Sequence, residues 1–152
     1  MELPPIVGEE KKPSRKRNKQ LSFRILLIDD AVPLVKLFQE GLSCLGHIVF
    51  GAASAEDGIR FWEQNDLDVI VCDLDMPDMD GWQVARAIKT LSHERGIRKV
   101  PFVMVTGWGC EIGEDYDTFE TGVDAIATKP LELPSLVELS RNLLERVDQK
   151  SM

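Results

Sequence analysis

Long apolar runs are absent from this 152-residue sequence. No run approaches the roughly 20 apolar residues that a membrane-spanning helix needs, and the first residues lack the apolar core of a secretory signal peptide. Cysteine is also scarce: Cys44, Cys72 and Cys110 are an odd number, lie far apart and form no Cys-x-x-Cys pair. We therefore expect no membrane segment, no disulfide framework and no zinc site, and a cytoplasmic location with reduced thiols.

Positive charge is scarce in most of the chain. Residues 1–20 hold six basic and three acidic residues, whereas the remaining residues hold 12 basic and 23 acidic ones. An acidic body repels nucleic acid, so we expect no direct nucleic-acid binding. The basic segment 11–19 is either a nucleic-acid-binding arm or a solvated linker. Its proline and its lack of apolar periodicity favour a flexible basic linker over residues 1–20.

The rest of the chain alternates between apolar runs and helical patterns, which predicts one domain over residues 21–148 and a short tail over 149–152. Predicted strands cover residues 23–29, 47–53, 68–73, 100–106 and 124–128. Predicted helices cover residues 30–45, 54–65, 81–92, a weak helix that ends near Gly122, and residues 133–147. Five nearly continuous apolar strands, each followed by a helix, predict an α/β fold with a parallel sheet covered by helices on both faces.

Polar residues gather where the predicted strands end. Asp29 and Asp30 follow the first strand, Asp73 ends the third, Thr106 ends the fourth, and Lys129 follows the fifth. Right-handed crossovers place these ends at one edge of the sheet, with the first and third strands adjacent at the topological switch point. Clustered carboxylates repel one another unless a cation lies among them, and Mg²⁺ prefers oxygen ligands. The pattern therefore predicts a Mg²⁺ site beside an aspartate that can attack phosphorus.

Four motifs carry a resemblance to a known family: IDD at 28–30, CDLDMPDMDG at 72–81, VTG at 105–107 and TKP at 128–130. In this order they resemble the receiver domain of two-component response regulators, and the resemblance covers roughly residues 22–148. It implies a flavodoxin-like, five-stranded parallel sheet in the order 2-1-3-4-5. It also implies that the Lys129–Pro130 peptide is cis.

The resemblance assigns roles to the residues at the strand ends. Asp73 resembles the phosphoryl acceptor, Thr106 the hydroxyl that hydrogen-bonds the phosphoryl group, and Lys129 the lysine that forms an ion pair with it.

The same resemblance implies the ligands of the metal ion, which is Mg²⁺ in this family. Asp30 resembles the direct ligand, and Asp29 resembles its partner, which acts largely through water. Asp73 and the backbone carbonyl of Asp75 resemble the other protein ligands. Asp78 and Asp80 are interpreted as parts of the turn and cap that begin the next helix.

Function is also implied by the resemblance. Such a domain takes a phosphoryl group from a histidine kinase or a histidine phosphotransfer protein and then switches its protein–protein contacts. It is not a turnover enzyme, since it shows only Mg²⁺-dependent self-phosphorylation and slow self-dephosphorylation. A weak dimer through the face made by the fourth helix, the fifth strand and the fifth helix is a further expectation.

Two positions depart from the family pattern. Three residues before the position of Lys129, the family usually has an aromatic residue that moves during switching. This chain has Ile126 at that position. Trp108 lies two residues after Thr106. In the family, the side chain at this position often borders the phosphorylation pocket. We expect Trp108 to replace the missing aromatic residue in part, and to slow the loss of the phosphoryl group by excluding water.

The alternative function is an aspartyl phosphatase of the haloacid dehalogenase type, in which Asp73 and Asp75 would be nucleophile and general acid. Pro77 occupies the position where that family has Thr or Val, and the acidic metal-binding pair comes first in the chain rather than late. Both features favour the receiver domain.

The context of the domain has two interpretations. Few residues follow the last predicted helix, and MELPPIVGEE resembles the last strand of a histidine-kinase ATP-binding domain. These features favour the C-terminal receiver of a hybrid histidine kinase, and a stand-alone regulator stays open as the second interpretation.

Overall fold

Strands and helices alternate through the computed structural model, which describes residues 22–107 and 118–150. The strands are β1 Arg24–Ile28, β2 Ile48–Ala52, β3 Val69–Asp73, β4 Phe102–Thr106 and β5 Ala125–Thr128. The helices are α1 Val32–Cys44, α2 Ala55–Gln64, α3 Gly81–Arg95, α4 Thr118–Thr121 and α5 Leu133–Lys150. Within the described ranges, no helix is long and apolar enough to cross a membrane.

The five strands form one parallel sheet in the order β2-β1-β3-β4-β5. This order confirms the predicted flavodoxin-like fold. The register pairs Ile28 with Cys72, Asp73 with Val105, and Thr106 with Thr128. The carboxyl ends of β1, β3, β4 and β5 therefore lie side by side at one edge, which we call the C-terminal edge of the sheet.

Each face of the sheet carries its own hydrophobic core. Leu26, Ile28, Ile70 and Cys72 point into a core with α2 and α3, and their neighbours along the strands point into a core with α1 and α5. Side chains alternate in this way because successive residues of a strand face opposite sides. Both faces are buried, which explains the uninterrupted apolar runs of β3 and β4, and each fully buried aliphatic side chain contributes roughly 1.5–3 kcal/mol.

Helix α3 begins with a capping box, as the acid-rich turn before it predicted. The Gln83 N–H donates to Asp80 Oδ1 at 2.9 Å, and the Asp80 N–H donates to Gln83 Oε1 at 2.9 Å. This pairing satisfies two backbone donors at the start of the helix. Asp80 is thus a structural residue. Helix α2 also has a side-chain cap, since Ser54 Oγ accepts the Asp57 N–H at 3.1 Å.

Some helix ends differ from the prediction. Helix α3 was expected to end at Ser92 and continues to Arg95, because Gly96 is the residue that adopts the left-handed conformation with φ of 64°. Helix α5 reaches Lys150 rather than Val147. Helix α1 was expected to begin at Asp30 and instead begins at Val32, with Ala31 at its N-cap and no side-chain hydrogen bond there.

Candidate functional site

Four of the predicted site residues meet at the C-terminal edge. Asp29 follows β1, Asp73 ends β3, Thr106 ends β4, and Lys129 follows β5. The Lys129 ammonium nitrogen lies 3.0 Å from Asp73 Oδ1 and 3.8 Å from Asp29 Oδ2. The Lys129 N–H donates to the Thr106 carbonyl oxygen at 2.9 Å, so the backbone ties the lysine to the end of β4. The parallel register thus brings together residues that are up to 100 positions apart in the sequence.

Three carboxylates form a cluster that can hold a metal ion. Asp29, Asp30 and Asp73 each offer an oxygen atom, and these atoms lie within 4.8 Å of one another. Asp29 and Asp73 are each only 6% exposed, whereas Asp30 is open to solvent. All the donors are oxygen atoms, which fits Mg²⁺ better than a soft metal, because Mg²⁺ keeps several water molecules and needs few carboxylates.

The two buried acids are held differently. Asp29 Oδ1 accepts the Ala31 N–H at 2.9 Å, and its other oxygen faces Lys129. Asp73 interacts with Lys129 at the shorter distance of 3.0 Å. One oxygen of Asp29 is therefore already hydrogen-bonded to the backbone at the start of α1. The neighbouring Asp30 does not cap this helix, and its side chain is exposed.

Burial and charge shift the pKa values of the central pair. Burial raises the pKa of Asp73, and the nearby Asp29 raises it further, while the hydrogen bond and charge of Lys129 act in the opposite direction. Burial alone would lower the pKa of Lys129, but its hydrogen bond to Asp73 and the charges of Asp73 and Asp29 raise it overall. Lys129 is therefore a stable ammonium group at neutral pH, and a positive charge at this position favours an ionised Asp73.

Close packing fixes the end of β3. A Cβ atom added to Gly81 would lie 2.2 Å from the Met104 sulfur and 2.9 Å from the Asp73 carbonyl oxygen. The Gly81 N–H also donates to the Leu74 carbonyl oxygen at 2.9 Å. Only glycine lets the start of α3 approach the end of β3 this closely. Sequence reasoning missed this role, although a glycine at the first position of a helix, directly after the acidic motif, is the signal that points to it.

Cys72 adjoins Asp73 but faces the opposite core. Its thiol is fully buried and donates to the Asp73 carbonyl oxygen at 3.4 Å. Burial, and then the charge of Asp73, raise the pKa of the Cys72 thiol. A buried thiol of this kind is a structural residue rather than a nucleophile.

The structure describes some of the remaining predicted residues, and others lie outside the described ranges. The Asp75 side chain is exposed, and the proposed role of its backbone carbonyl as a metal ligand stays a prediction. Ile126 is partly buried and packs against the core with α2 and α3. Trp108 lies outside the described residues, so its proposed role also stays a prediction. The Lys129–Pro130 peptide is cis, as the resemblance implied.

Comparisons with known proteins identify similar sequences and similar structures. A receiver domain protein from Clostridium thermocellum is 26% identical, with a TM-score of 0.70 over 84% of this chain and 98% of that chain. The curated "Probable transcriptional regulator ycf27" of Porphyridium aerugineum is 29% identical over 128 residues, which are 84% of this chain and 50% of that protein. The "Virulence sensor protein BvgS" of Bordetella bronchiseptica is 27% identical over 135 residues, or 88% of this chain and 11% of that protein.

The two curated relatives are longer than the region that matches this chain. The chain spans half the length of the regulator from Porphyridium aerugineum and about a tenth of the sensor protein. The family model described as "Response regulator receiver domain" matches residues 25–141, which is most of the chain and includes all the clustered residues. The chain therefore belongs to the receiver domain family of two-component response regulators.

Proposed function

We propose that this chain accepts a phosphoryl group on Asp73 from a histidine kinase or a histidine phosphotransfer protein. One observation carries the choice of residue. Within the described ranges, Asp73 is the carboxylate that ends a strand, is buried, and has the Lys129 ammonium 3.0 Å from an oxygen atom. Asp78 is exposed and Asp80 caps α3, so neither has these features.

The proposed step is a displacement at phosphorus. An Asp73 carboxylate oxygen forms the new phosphorus–oxygen bond while the phosphorus–nitrogen bond to the donor histidine breaks. The electron pair of the broken bond leaves with the imidazole. In this proposal the Lys129 ammonium balances negative charge on the transferred group, and the Thr106 hydroxyl hydrogen-bonds it.

The carboxylate cluster fits a Mg²⁺ ion. Asp29, Asp30 and Asp73 would hold it, together with the backbone carbonyl of Asp75, and the ion supplies further neutralisation of charge on the phosphoryl oxygens when it is bound. Asp30 is proposed as the dominant ligand. One oxygen of Asp29 is already hydrogen-bonded to the Ala31 N–H, and its other oxygen faces Lys129, so fewer of its lone pairs remain for the metal.

The biological role that follows is a phosphorylation-dependent switch rather than an enzyme with turnover. The chain would act in the cytoplasm through protein contacts, including a weak dimer through α4, β5 and α5. The match to a sensor protein supports the receiver of a hybrid kinase as one context, and the match to a transcriptional regulator supports a separate regulator as the other. No observation described above favours the phosphatase alternative.

Acetyl phosphate labelling tests the acceptor directly. In the presence of Mg²⁺, the wild-type protein should gain one phosphoryl group by intact mass, and peptide mapping should place it on Asp73. The Asp73→Asn variant should stay unlabelled, while the matched Asp78→Asn variant, altered at an exposed aspartate of the same motif, should be labelled normally. Labelling of Asp73→Asn at the wild-type rate would show that another residue is the acceptor. Sustained hydrolysis of p-nitrophenyl phosphate would instead indicate a phosphatase.

A further inference from the structure

An apolar cavity lies directly beneath the carboxylate cluster. Its volume is about 420 Å³, and it extends between α1 and the sheet on the face that carries α1 and α5. Side chains from α1, β3, β4 and the segment after β5 form its apolar walls, namely Leu34, Val35, Phe38, Val71, Val105 and Leu131.

The cavity is partly open to solvent, so a small molecule can enter it. It has room for roughly a dozen water molecules at about 30 Å³ each. Water molecules in it would find few hydrogen-bond partners along the aliphatic and aromatic walls. A small apolar molecule would release them and bury its own surface, and the volume falls in the range of ordinary small-molecule pockets, about 300–1,000 Å³.

One end of the cavity is polar and negatively charged. Asp29, Asp73 and Lys129 line this end, and Asp30 belongs to the same carboxylate cluster. Two carboxylates therefore face one ammonium group at this end of the cavity, and the third, Asp30, lies close by. Lys129 is already engaged with Asp73 at 3.0 Å and with Asp29 at 3.8 Å, so the excess charge at this end is negative. A ligand with a positive group complements it, and one with a negative group does not.

We propose that the cavity binds a small hydrophobic organic cation, with its apolar body between α1 and the sheet and its ammonium group facing Asp29 and Asp73. The ligand class follows from the apolar walls and the charge of the polar end together. Binding at this place needs neither a metal ion nor a phosphoryl donor.

One consequence rests on the proposed function of Asp73. An ammonium group against Asp73 would occupy the space through which the phosphoryl donor approaches, and it would compete with Mg²⁺ for the same carboxylates. The ligand is therefore expected to slow labelling of Asp73.

Three probes of similar shape test the charge preference: 4-phenylbutylamine, 4-phenylbutanol and 4-phenylbutyrate. Binding to the metal-free wild-type protein is measured by titration calorimetry and by NMR of methyl groups. The amine should bind with a dissociation constant about tenfold lower than that of the carboxylate, which corresponds to one weak attractive and one weak repulsive charge interaction. The alcohol should lie between them, and methyl shifts should concentrate at Leu34, Val71 and Val105.

Two tryptophan substitutions on the same helix provide a matched pair. Leu34→Trp places a larger side chain into the cavity and should abolish saturable binding of the amine. Leu37→Trp changes a side chain that is 61% exposed and should leave binding unchanged. If Leu34→Trp does not fold, the methyl shifts of the wild-type protein decide the location by themselves.

Several results would overturn the proposal. They are the absence of saturable shifts at the three cavity methyl groups, equal binding to both tryptophan variants, and tighter binding of the carboxylate than of the amine.

The labelling experiment tests the coupling to phosphorylation and not the binding site. If the amine binds in the cavity and Asp73 is nevertheless labelled at the normal rate, the site stands and only the coupling to phosphorylation is wrong. If Asp73 is never labelled, the proposed function fails and the binding result is unaffected.

Discussion

The two edges of the sheet use the same kind of side chain in opposite ways. At the N-terminal edge, Asp68 accepts the Arg24 N–H at 2.8 Å and Asp124 accepts the Phe102 N–H at 2.8 Å. At the C-terminal edge, buried Asp73 depends on the Lys129 ammonium. The first residues of β1 and β4 offer backbone N–H groups, which are natural partners for a carboxylate. Asp68 and Asp124 thus each hold the start of a strand through its backbone N–H, whereas Asp73 at the end of a strand is paired with the Lys129 ammonium.

The largest effect is expected from a substitution that disturbs the packing at the C-terminal edge. Gly81→Ala brings a Cβ atom against the Met104 sulfur and the Asp73 carbonyl oxygen. We expect a loss of about 3 kcal/mol in the free energy of unfolding, since overpacking against backbone is poorly relieved, and slower labelling of Asp73. Gly107→Ala is the matched control, because a Cβ atom there meets nothing within 4 Å. Chemical denaturation of both variants measures the difference, and equal stabilities would contradict the close packing.

Addition of Mg²⁺ should stabilise the C-terminal edge next most strongly. A ligand at one hundred times its dissociation constant stabilises the folded state by about 2.7 kcal/mol, so the melting temperature should rise with Mg²⁺ concentration. Asp30→Ala should remove most of this rise, whereas Asp124→Asn at the other edge should retain it. A Mg²⁺ dependence that is unchanged in Asp30→Ala would show that the metal site has been misplaced.

Removing one acid from each edge should have different effects on the free energy of unfolding. Asp124→Ala leaves the Phe102 N–H without its partner and also breaks the ion pair with Lys99 at 2.8 Å. The Phe102 N–H would then be left unsatisfied in a part-buried place, which costs about 1–3 kcal/mol. Asp73→Ala removes a buried charge that repels Asp29, so metal-free protein should be no less stable than the wild type. A large destabilisation by Asp73→Ala would mean that both edges are structural.

The smallest expected effect concerns His47, which also lies at the N-terminal edge. Its Nδ1 accepts the Phe23 N–H at 3.1 Å, and burial, with the charge of Arg141 second, lowers the pKa of His47 below its ordinary value of 6.5. Above pH 6.5 the histidine is neutral in both states. As the pH falls through 6.5, the unfolded chain takes up a proton before the folded protein does, so stability should decrease.

Two substitutions isolate this effect. His47→Asn keeps an acceptor for the Phe23 N–H without a titrating group, and it should flatten the loss of stability between pH 7 and pH 5. His93→Asn, at an exposed position of α3, should leave the loss in place. Denaturation curves at pH 7 and pH 5 measure the loss in the free energy of unfolding. If His47→Asn shows the same loss as the wild type, other titrating groups cause it.

Much of the fold was predictable because its signals are local. Alternating apolar runs and capping residues such as Ser54 and Asp80 mark the elements, and the carboxyl ends of parallel strands must share an edge. The prediction for the end of α3 was wrong by three residues, since the apolar pattern faded before Gly96 stopped the helix. The roles of Asp68 and Asp124 could not be predicted, because each depends on an N–H group from a distant strand.

By itself, the sequence determined that the sheet is parallel and that Asp29, Asp73, Thr106 and Lys129 gather at one edge of it. These two features follow from periodicity, chain order and the handedness of crossovers, which act along the chain. The full strand order and the family were implied by the resemblance of its motifs to receiver domains. Only the tertiary structure decided that Lys129 pairs with Asp73 more closely than with Asp29, that Gly81 fixes the end of β3, and that an apolar cavity lies below the carboxylates. Distances and voids of this kind arise from how side chains of separate elements pack, and no local pattern encodes them.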